Sequence, residues 1–148
     1  MSSPNSLSCE TTIFVRDSCL CLHVQRAARA LGRRFDEVLR PFGLTNGQFS
    51  LLMSLNRPEP PTMGPVANLL AMDRTTLTAA LKPLERRGLV RGDPHPTDKR
   101  SRILILTDLG RKALALALPV WKSTHEEIEN SLRGIDPDQL RKCLKSLS

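Results

Sequence analysis

The stretch TMGPVANLLAMDRTTLTAALKPLERRGLVRGDPHPTDKRSRILILT, residues 62–107, decides the fold. Thr62 and Asp73 are both residues that favour helix N-caps, and each precedes a short segment with apolar residues at helical spacing. Gly88 is suited to end the second segment, because glycine adopts the left-handed conformation without strain. Two short helices joined by a tight connection predict a helix-turn-helix.

Two short apolar segments follow this helix pair. Residues 89–91 and 102–106 are rich in residues that favour strands, and a polar cluster with two prolines separates them. We expect a two-stranded ribbon with a protruding loop. Such a ribbon directly after a helix-turn-helix predicts the wing of a winged helix-turn-helix lobe.

The chain before the lobe is predicted to contain an arm and a long helix. Apart from Ile13-Phe14-Val15, residues 1–17 are polar and show no helical period, which favours an irregular arm that is available to pack on a partner. From Cys21 to Phe42 the apolar residues alternate at spacings of three and four, which describes one face of a helix. Asp17 or Ser18 is suited to cap its start, and the proline before Phe42 ends it.

Further helices are predicted on both sides of the wing. Residues 46–56 form a helix capped by Thr45, residues 108–132 form a long helix with a kink at Pro119, and Asp136 caps a last helix. We expect the helix at 46–56 to direct inward Phe49, Leu52, Met53 and Leu55.

The predicted fold class is mainly α with a small β-wing. A winged helix-turn-helix lobe at residues 45–107 lies between dimerisation helices at 18–44 and 108–148, after the arm at 1–17. Dimerisation is expected because these helices present more apolar surface than one small lobe covers. The apolar residues of the tail are Leu140, Cys143, Leu144 and Leu147.

Charge points to a polyanionic partner. The chain carries a formal net charge of +7, and residues 74–112 hold ten basic and four acidic residues, a balance of +6. With four Phe, one Trp and no Tyr, the stacking platforms that bind single strands are missing, so duplex DNA is the leading candidate. No apolar run approaches the roughly 18 residues that span a bilayer. The start lacks the features of a secretion signal, so we expect a cytoplasmic protein with reduced thiols.

The second helix of the pair has two distinct faces. At about 100° per residue, Leu77 shares one face with Leu81 and Leu84, and Pro83 is expected to bend the last turn. The opposite face holds Thr75, Ala79, Lys82 and Arg86, flanked by Thr76 and Thr78. Small side chains and donors of this kind fit a major groove about 12 Å wide. A merely solvated helix face is the alternative.

Four motifs resemble those of the MarR family of bacterial transcription regulators. They are Asp73-Arg74-Thr75-Thr76-Leu77-Thr78, Leu84-Glu85-Arg86-Arg87-Gly88-Leu89-Val90, Asp98-Lys99-Arg100-Ser101 and Leu106-Thr107-Asp108-Leu109-Gly110. The resemblance covers about residues 20 to 145, so residues 18–148 correspond to a MarR-type domain. It implies an obligate homodimer with interleaved terminal helices on a pseudopalindromic operator. It also implies a cleft in which small phenolic or other apolar anions bind and release DNA.

The resemblance also assigns roles within the DNA-binding lobe. Arg100 corresponds to the wing-tip residue that enters the minor groove, with Asp98 holding it in place. Pro83 and Ala79 depart from the family pattern and leave the base preference open. The predicted DNA-contacting residues are Arg74, Thr75, Thr76, Thr78, Ala79, Lys82, Arg86, Asp98, Lys99, Arg100 and Arg102.

The sequence offers two candidate signals for the regulator, a small effector and an organic hydroperoxide. For an aromatic or anionic effector, the candidate cleft residues are Gln25, Met53, Trp121 and His125, although core packing is the alternative for Met53 and Trp121. Cys21 lies near the reactive cysteine of the family branch that senses organic hydroperoxides. That branch uses tyrosines, which this chain lacks, so a plain buried cysteine is the competing interpretation.

No metal, cofactor or catalytic activity is predicted. On one helix, Cys19 and Cys21 would point about 200° apart, so they cannot share an ion with His23. Nucleophile elbows, zinc-protease motifs and phosphate loops are absent from the sequence. We therefore expect a sequence-specific, dimeric DNA-binding repressor that an effector releases. The alternatives are a hydroperoxide sensor using Cys21 and an architectural protein that binds DNA without sequence preference.

Overall fold

The computed structural model describes residues 6–148, and the predicted helical architecture with a two-stranded wing is present. The elements in chain order are α1 (Cys9–Ser18), α2 (Leu20–Leu39), a 3₁₀ turn (Arg40–Phe42), α3 (Asn46–Leu55), α4 (Met63–Leu69), α5 (Arg74–Arg86), β1 (Val90–Pro94), β2 (Arg102–Leu106), α6 (Asp108–Asn130) and α7 (Pro137–Lys145). The contacts separate the chain into two compact units, one up to Arg34 and one from Phe35 to Ser148. None of the described helices is both long enough and apolar enough to cross a membrane.

The first unit corrects the prediction of an irregular arm. Part of that segment is the helix α1, whose start is capped by the Ser8 hydroxyl accepting from the Thr11 amide at 3.2 Å. Three consecutive apolar residues hid the helical period of this segment. The cap of α2 is also different, because Cys19 replaces Asp17 and Ser18: its thiol accepts from the Leu22 amide at 3.4 Å. Residues 1–5 of the predicted arm lie outside the described part of the chain.

The core of the second unit lies under the helix-turn-helix and the wing. The largest side chains that are essentially inaccessible are Leu39, Leu51, Leu52, Val66, Leu77, Leu84 and Leu104. Since α3 packs against α4, α6 and β2, it buries more than one stripe of residues. The prediction that Met53 points inward is therefore wrong: its exposed fraction is 40%, and Leu51 is buried instead.

Both interior prolines lie within continuous helices. In α5 the chain stays helical through Pro83 to Arg86, and α6 likewise continues through Pro119. Each proline leaves the carbonyl four residues earlier, in Ala79 or Ala115, without its helical donor. Both alanines are exposed, so water can bind those carbonyls. This solvation explains how the helices accommodate prolines at these positions.

The wing is anchored to the helix-turn-helix at its base. The strands are antiparallel, with Val90 opposite Leu106 and Pro94 opposite Arg102, so β1 is longer than the predicted segment. The Leu104 amide donates to the carbonyl of Pro61 at 2.8 Å, directly before α4. Main-chain hydrogen bonding therefore fixes the wing beside the helix pair.

Candidate DNA interface

Helix α5 presents the small, polar face that the sequence predicts. Leu77, Leu81 and Leu84 are buried, whereas the residues on the opposite side are exposed; these are Thr75, Thr76, Thr78, Ala79, Lys82 and Arg86. The Thr78 hydroxyl donates to the Arg74 carbonyl at 2.8 Å, so its proton is used within the helix. Thr78 therefore offers outward only a methyl group and oxygen lone pairs.

The start of α5 is held by Asp73. Its carboxylate accepts from the Thr76 amide at 2.7 Å, and this hydrogen bond holds the pKa of Asp73 below its ordinary value. The cap satisfies one of the free amides at the helix start. Other amides of the first turn remain directed at the surface, where the helix dipole favours an anion such as phosphate.

A concave cleft lies between α4, the start of α5 and the wing. It has a volume of about 430 Å³, and its lining residues are Thr62, Met63, Gly64, Pro65, Arg74, Thr78, Arg100, Ser101 and Arg102. Three guanidinium groups and no carboxylate line it. The Arg74 guanidinium lies close to Gly64, at 3.7 Å from the position that a Cβ atom would take there, which is an ordinary contact distance. The charge and size of the cleft suit a phosphate of a nucleic-acid backbone.

The wing tip is shaped by Asp98. One carboxylate oxygen accepts from the Arg100 amide at 3.0 Å, and the other accepts from the Ser101 hydroxyl at 3.1 Å. Asp98 therefore holds the backbone at Arg100, with both of these bonds made to groups other than the guanidinium. The Nδ1 atom of His95 accepts from the Asp98 amide at 3.1 Å, a contribution to the wing that the sequence analysis missed. Lys99 and Arg100 are exposed at this tip.

We expect acid to disorder the wing tip through Asp98. The pKa of Asp98 lies below its ordinary 3.8, chiefly because the Arg100 amide donates a hydrogen bond to the carboxylate. The hydrogen bond from the Ser101 hydroxyl also lowers it. A lowered pKa means that the stabilisation is complete above pH 3.8 and is lost as the pH falls through the folded-state value. The amide resonances of Arg100 and Ser101 should therefore titrate together below that pH.

An Asp98→Asn variant should lack this titration and bind DNA with a weaker salt dependence. A disordered tip loses about one phosphate contact, which reduces the salt slope by about one. Asp138→Asn on α7 is the control and should leave both observations unchanged. Resonances that titrate equally in the Asp98→Asn variant would contradict this role for Asp98.

Arg102 joins the wing to α5. Its guanidinium donates to the Glu85 carboxylate at 3.2 Å and lies directly over Gly92, where a Cβ atom would be 2.0 Å away. Glu85 was not predicted as a site residue, because it lies 17 positions from Arg102 and the sequence carries no local signal of that pairing. Gly92 was not predicted as a site residue either. Arg102 is thus an oriented side chain at the edge of the cleft.

The proposed effector residues are only partly brought together. Trp121 stacks on Phe35, Phe49 and His125, with ring centroids at 6.1, 5.7 and 4.8 Å. Met53 and Trp121 share an apolar cleft of about 320 Å³ with Phe49, Ser50, Ser54, Leu69 and Leu118. His125 stacks on Trp121 but does not line this cleft.

Met53 also lines a neighbouring cleft of about 290 Å³, whose other residues are Asn56, Arg111, Leu114, Ala115 and Leu118. The exposed Met53 side chain thus lines both apolar clefts, and Arg111 adds a positive charge to the second one. Gln25 belongs to the other compact unit, where its side chain contacts Cys21 and Arg29.

Cys21 differs from the expected buried cysteine. Its thiol is exposed and accepts a hydrogen bond from the neutral amide of Gln25 at 3.1 Å. The described cysteines are all free thiols. Residues 6–148 contain no group of three or more His, Cys, Asp or Glu side chains arranged to hold a metal ion.

Comparison with known proteins gives this surface a context. A family model described as the MarR family matches residues 44–101. The transcriptional regulator HosA of Escherichia coli O111:H- is 33% identical over 106 residues, which cover 70% of this chain and 77% of that protein. The chain belongs to the MarR family. The regulator TtmR of Methylorubrum extorquens is 38% identical over 95 residues, but the match spans only 49% of that longer relative.

Solved structures of MarR-family regulators share the fold. The transcriptional regulator MosR of M. tuberculosis, in complex with DNA, is 38% identical and aligns over 88% of this chain and 93% of that chain, with a TM-score of 0.80. The repressor CouR, bound to a 23-mer DNA duplex, is 31% identical and aligns over 96% and 95% of the two chains, with a TM-score of 0.73. The predicted winged-helix fold is confirmed. Membership of a family of transcriptional regulators also confirms that the chain is a regulator and not an enzyme.

Proposed function

We propose that this MarR-family chain represses transcription by binding a specific duplex operator as a homodimer in the cytoplasm. The observation that carries the proposal is the cleft with Arg74, Arg100 and Arg102, which adjoins the exposed face of α5. Guanidinium groups suit backbone phosphates, whereas small side chains and a lysine suit base edges. The same kind of partner is present in the MosR and CouR structures.

The dimensions of α5 support docking in a major groove. Its 13 residues span about 20 Å, and the exposed face carries small threonine and alanine side chains followed by Lys82 and Arg86 toward the end of the helix. Ala79 and Thr75 allow close approach to the bases, and Lys82 lies one turn further along. In this arrangement the wing extends toward the adjacent backbone, where Lys99 and Arg100 face phosphate or the minor groove.

Exposed apolar side chains support the proposed homodimer. Val24 and Leu31 on α2 are 39% and 42% exposed, and Leu144 and Leu147 near the C-terminus are 44% and 62% exposed. Apolar residues at helical spacing are stabilised when a second copy covers them. A twofold dimer places its two α5 helices on half-sites about 34 Å apart.

Operator specificity tests this function against non-specific DNA coating. An operator selected from random duplexes should bind far more tightly than unrelated DNA, and Lys82→Ala should reduce that ratio by roughly tenfold, as expected for one lost base contact. Lys122→Ala on α6 removes the same charge and should leave the ratio unchanged. Equal competition by random DNA against the unmodified protein would support the architectural alternative.

The clefts beside Met53 support release by a small aromatic anion. An apolar ring fits against Trp121 and Leu118, while Arg111 attracts a carboxylate in the adjoining space. Binding there would press on α3 and α6, which pack on each other. A second candidate signal is oxidation, because the exposed Cys21 thiol is accessible to a peroxide.

One release assay distinguishes the two signals. Benzoate or phenylacetate should quench the fluorescence of Trp121, the single tryptophan, and dissociate the operator complex. Met53→Glu should raise the concentration of the aromatic anion that is required for release about tenfold, because the new carboxylate repels the anion. Met53→Gln should leave that concentration unchanged. Release by an organic hydroperoxide, abolished by Cys21→Ser, would instead support the thiol sensor. Release by neither reagent would contradict both assignments.

A further inference from the structure

The proline at position 83 changes the hydrogen bonding of α5 at its surface. Proline has no amide hydrogen, so the Ala79 carbonyl lacks the donor that the fourth following residue of a helix ordinarily supplies. The helix nevertheless continues to Arg86, so this carbonyl stays within a regular backbone. Ala79 is exposed, which leaves the free acceptor open to a partner.

The free carbonyl lies on the side of α5 that is proposed to face DNA. At about 100° per residue from the buried Leu77, Ala79 lies at about 200° and Pro83 at about 240°. A helical carbonyl points toward the residue four positions later, so this oxygen lies between those two directions. The exposed Lys82 and Arg86 lie at about 140° and 180° by the same count. The acceptor is therefore next to the side chains that approach the bases.

Small groups surround this carbonyl. The side chain of Ala79 is a single methyl group, and the compact ring of Pro83 is half-buried. Side chains four residues apart on a helix have Cβ atoms about 5–6 Å apart. The gap between the methyl group and the ring therefore admits one small polar group. A long side chain at position 79 would cover the gap.

The Ala79 carbonyl also differs chemically from its neighbours. Lys82 and Arg86 carry only donors, which suit guanine acceptors and phosphates. The amino groups of adenine and cytosine are the donors of the major groove, and they require an acceptor on the protein. A main-chain carbonyl is such an acceptor, and the helix holds it in one direction.

We propose that the Ala79 carbonyl, left free by Pro83, accepts a hydrogen bond from the amino group of an adenine or cytosine in each operator half-site. Guanine and thymine present a keto oxygen at the corresponding place, and two acceptors repel each other. The contact thus selects an amino base at one position of each half-site. The proposal rests on the proposed operator binding and adds to it a base preference that comes from the main chain.

Restoring the missing donor tests the contact. Pro83→Ala returns an amide hydrogen that bonds the Ala79 carbonyl within the helix, and it leaves the other side chains of the exposed face unchanged. Competition among singly substituted operators measures the base preference at every position. The unmodified protein should prefer an amino base to a keto base about fivefold at one position of each half-site, as expected for one neutral hydrogen bond. Pro83→Ala should lose this preference and retain those that Lys82→Ala alters.

Pro119→Ala is the matched control. It restores a helical donor in the same way, but to the Ala115 carbonyl on α6, which lines the second cleft beside Met53. This variant should keep every base preference of the unmodified protein. Both variants should melt at a higher temperature than the unmodified protein, because each regains a helical hydrogen bond.

Deleting the amino group from the DNA provides a second measurement. At the preferred position, adenine is replaced by unsubstituted purine, or cytosine by the pyrimidinone that lacks the amino group. Either change removes the donor and adds no keto oxygen. The unmodified protein should bind the altered operator about fivefold more weakly, whereas Pro83→Ala should bind both operators equally.

The outcomes separate the contact from operator binding itself. A preference that persists in Pro83→Ala, or an unmodified protein that tolerates loss of the amino group, would overturn the carbonyl contact while leaving operator binding intact. Equal loss of the preference in Pro119→Ala would also overturn it. Because the amino-group deletion is measured with the unmodified protein, it decides the matter even for a variant that binds DNA poorly. A protein that does not distinguish operator from random duplex would overturn the proposed function, and the contact with it.

Discussion

Replacing Gly110 by alanine should destabilise the DNA-binding lobe by about 3 kcal/mol, the upper range for overpacking a core. A Cβ at Gly110 would lie 2.2 Å from the carbonyl oxygen of Leu89 and 2.6 Å from Leu106 Cδ1. The backbone has little freedom to move away, because the Thr107 amide donates to that carbonyl at 3.2 Å. The Thr107 hydroxyl also donates to the Gly88 carbonyl at 2.6 Å.

Gly47→Ala is the matched control. Gly47 lies in α3, and the nearest atom to its added Cβ is Thr45 Oγ1 at 4.0 Å. Because alanine favours the helix, this variant should be neutral or more stable by about 0.5–1 kcal/mol. Urea unfolding followed by circular dichroism measures both variants. Equal unfolding midpoints would show that the close approach of α6 to Leu89 does not constrain the fold.

The double variant Arg74→Ala/Arg100→Ala should lose roughly 100-fold in operator affinity, since each charge-assisted contact is worth about tenfold or more. Both guanidinium groups line the same cleft, one from α5 and one from the wing. The loss should be similar for operator and random duplex, because phosphate contacts carry no sequence information. The slope of log affinity against log salt should fall by about two.

A control variant has the same net charge as the cleft variant. Arg133→Ala/Lys145→Ala also removes two cations, from exposed positions outside the cleft. Titration of a labelled operator at several salt concentrations should show little change for this protein. If the control lost as much affinity as the cleft variant, total charge rather than the cleft would account for binding, and the proposed interface would be wrong.

The helix-turn-helix and the wing were predictable because their signals are local. Asp73 and Thr107 are caps whose side chains bond amides three residues later, and Gly88 has the positive φ that ends α5. Signals of this kind act within one turn of the chain, so they are visible without any knowledge of the neighbours. The exposed face of α5 followed from the same periodicity.

The errors occurred where local pattern and environment disagree. In α1 the run Ile13-Phe14-Val15 obscures the helical period, although Ser8 supplies an ordinary cap. Met53 belongs to an apolar helix, and only the positions of α4, α6 and β2 determine which of its sides are covered. Neither outcome follows from spacing alone.

The candidate site likewise has features that the sequence predicts and features that only the fold determines. Residue types and periods along the chain were sufficient to place the cations, the helix caps and the small polar face of α5. The pairing of Arg102 with Glu85, the bonding of Asp98 to the Arg100 backbone and the close approach of Arg102 to Gly92 required the folded arrangement. Hydrogen bonds and close contacts between distant segments depend on distances in space, which a linear pattern does not contain.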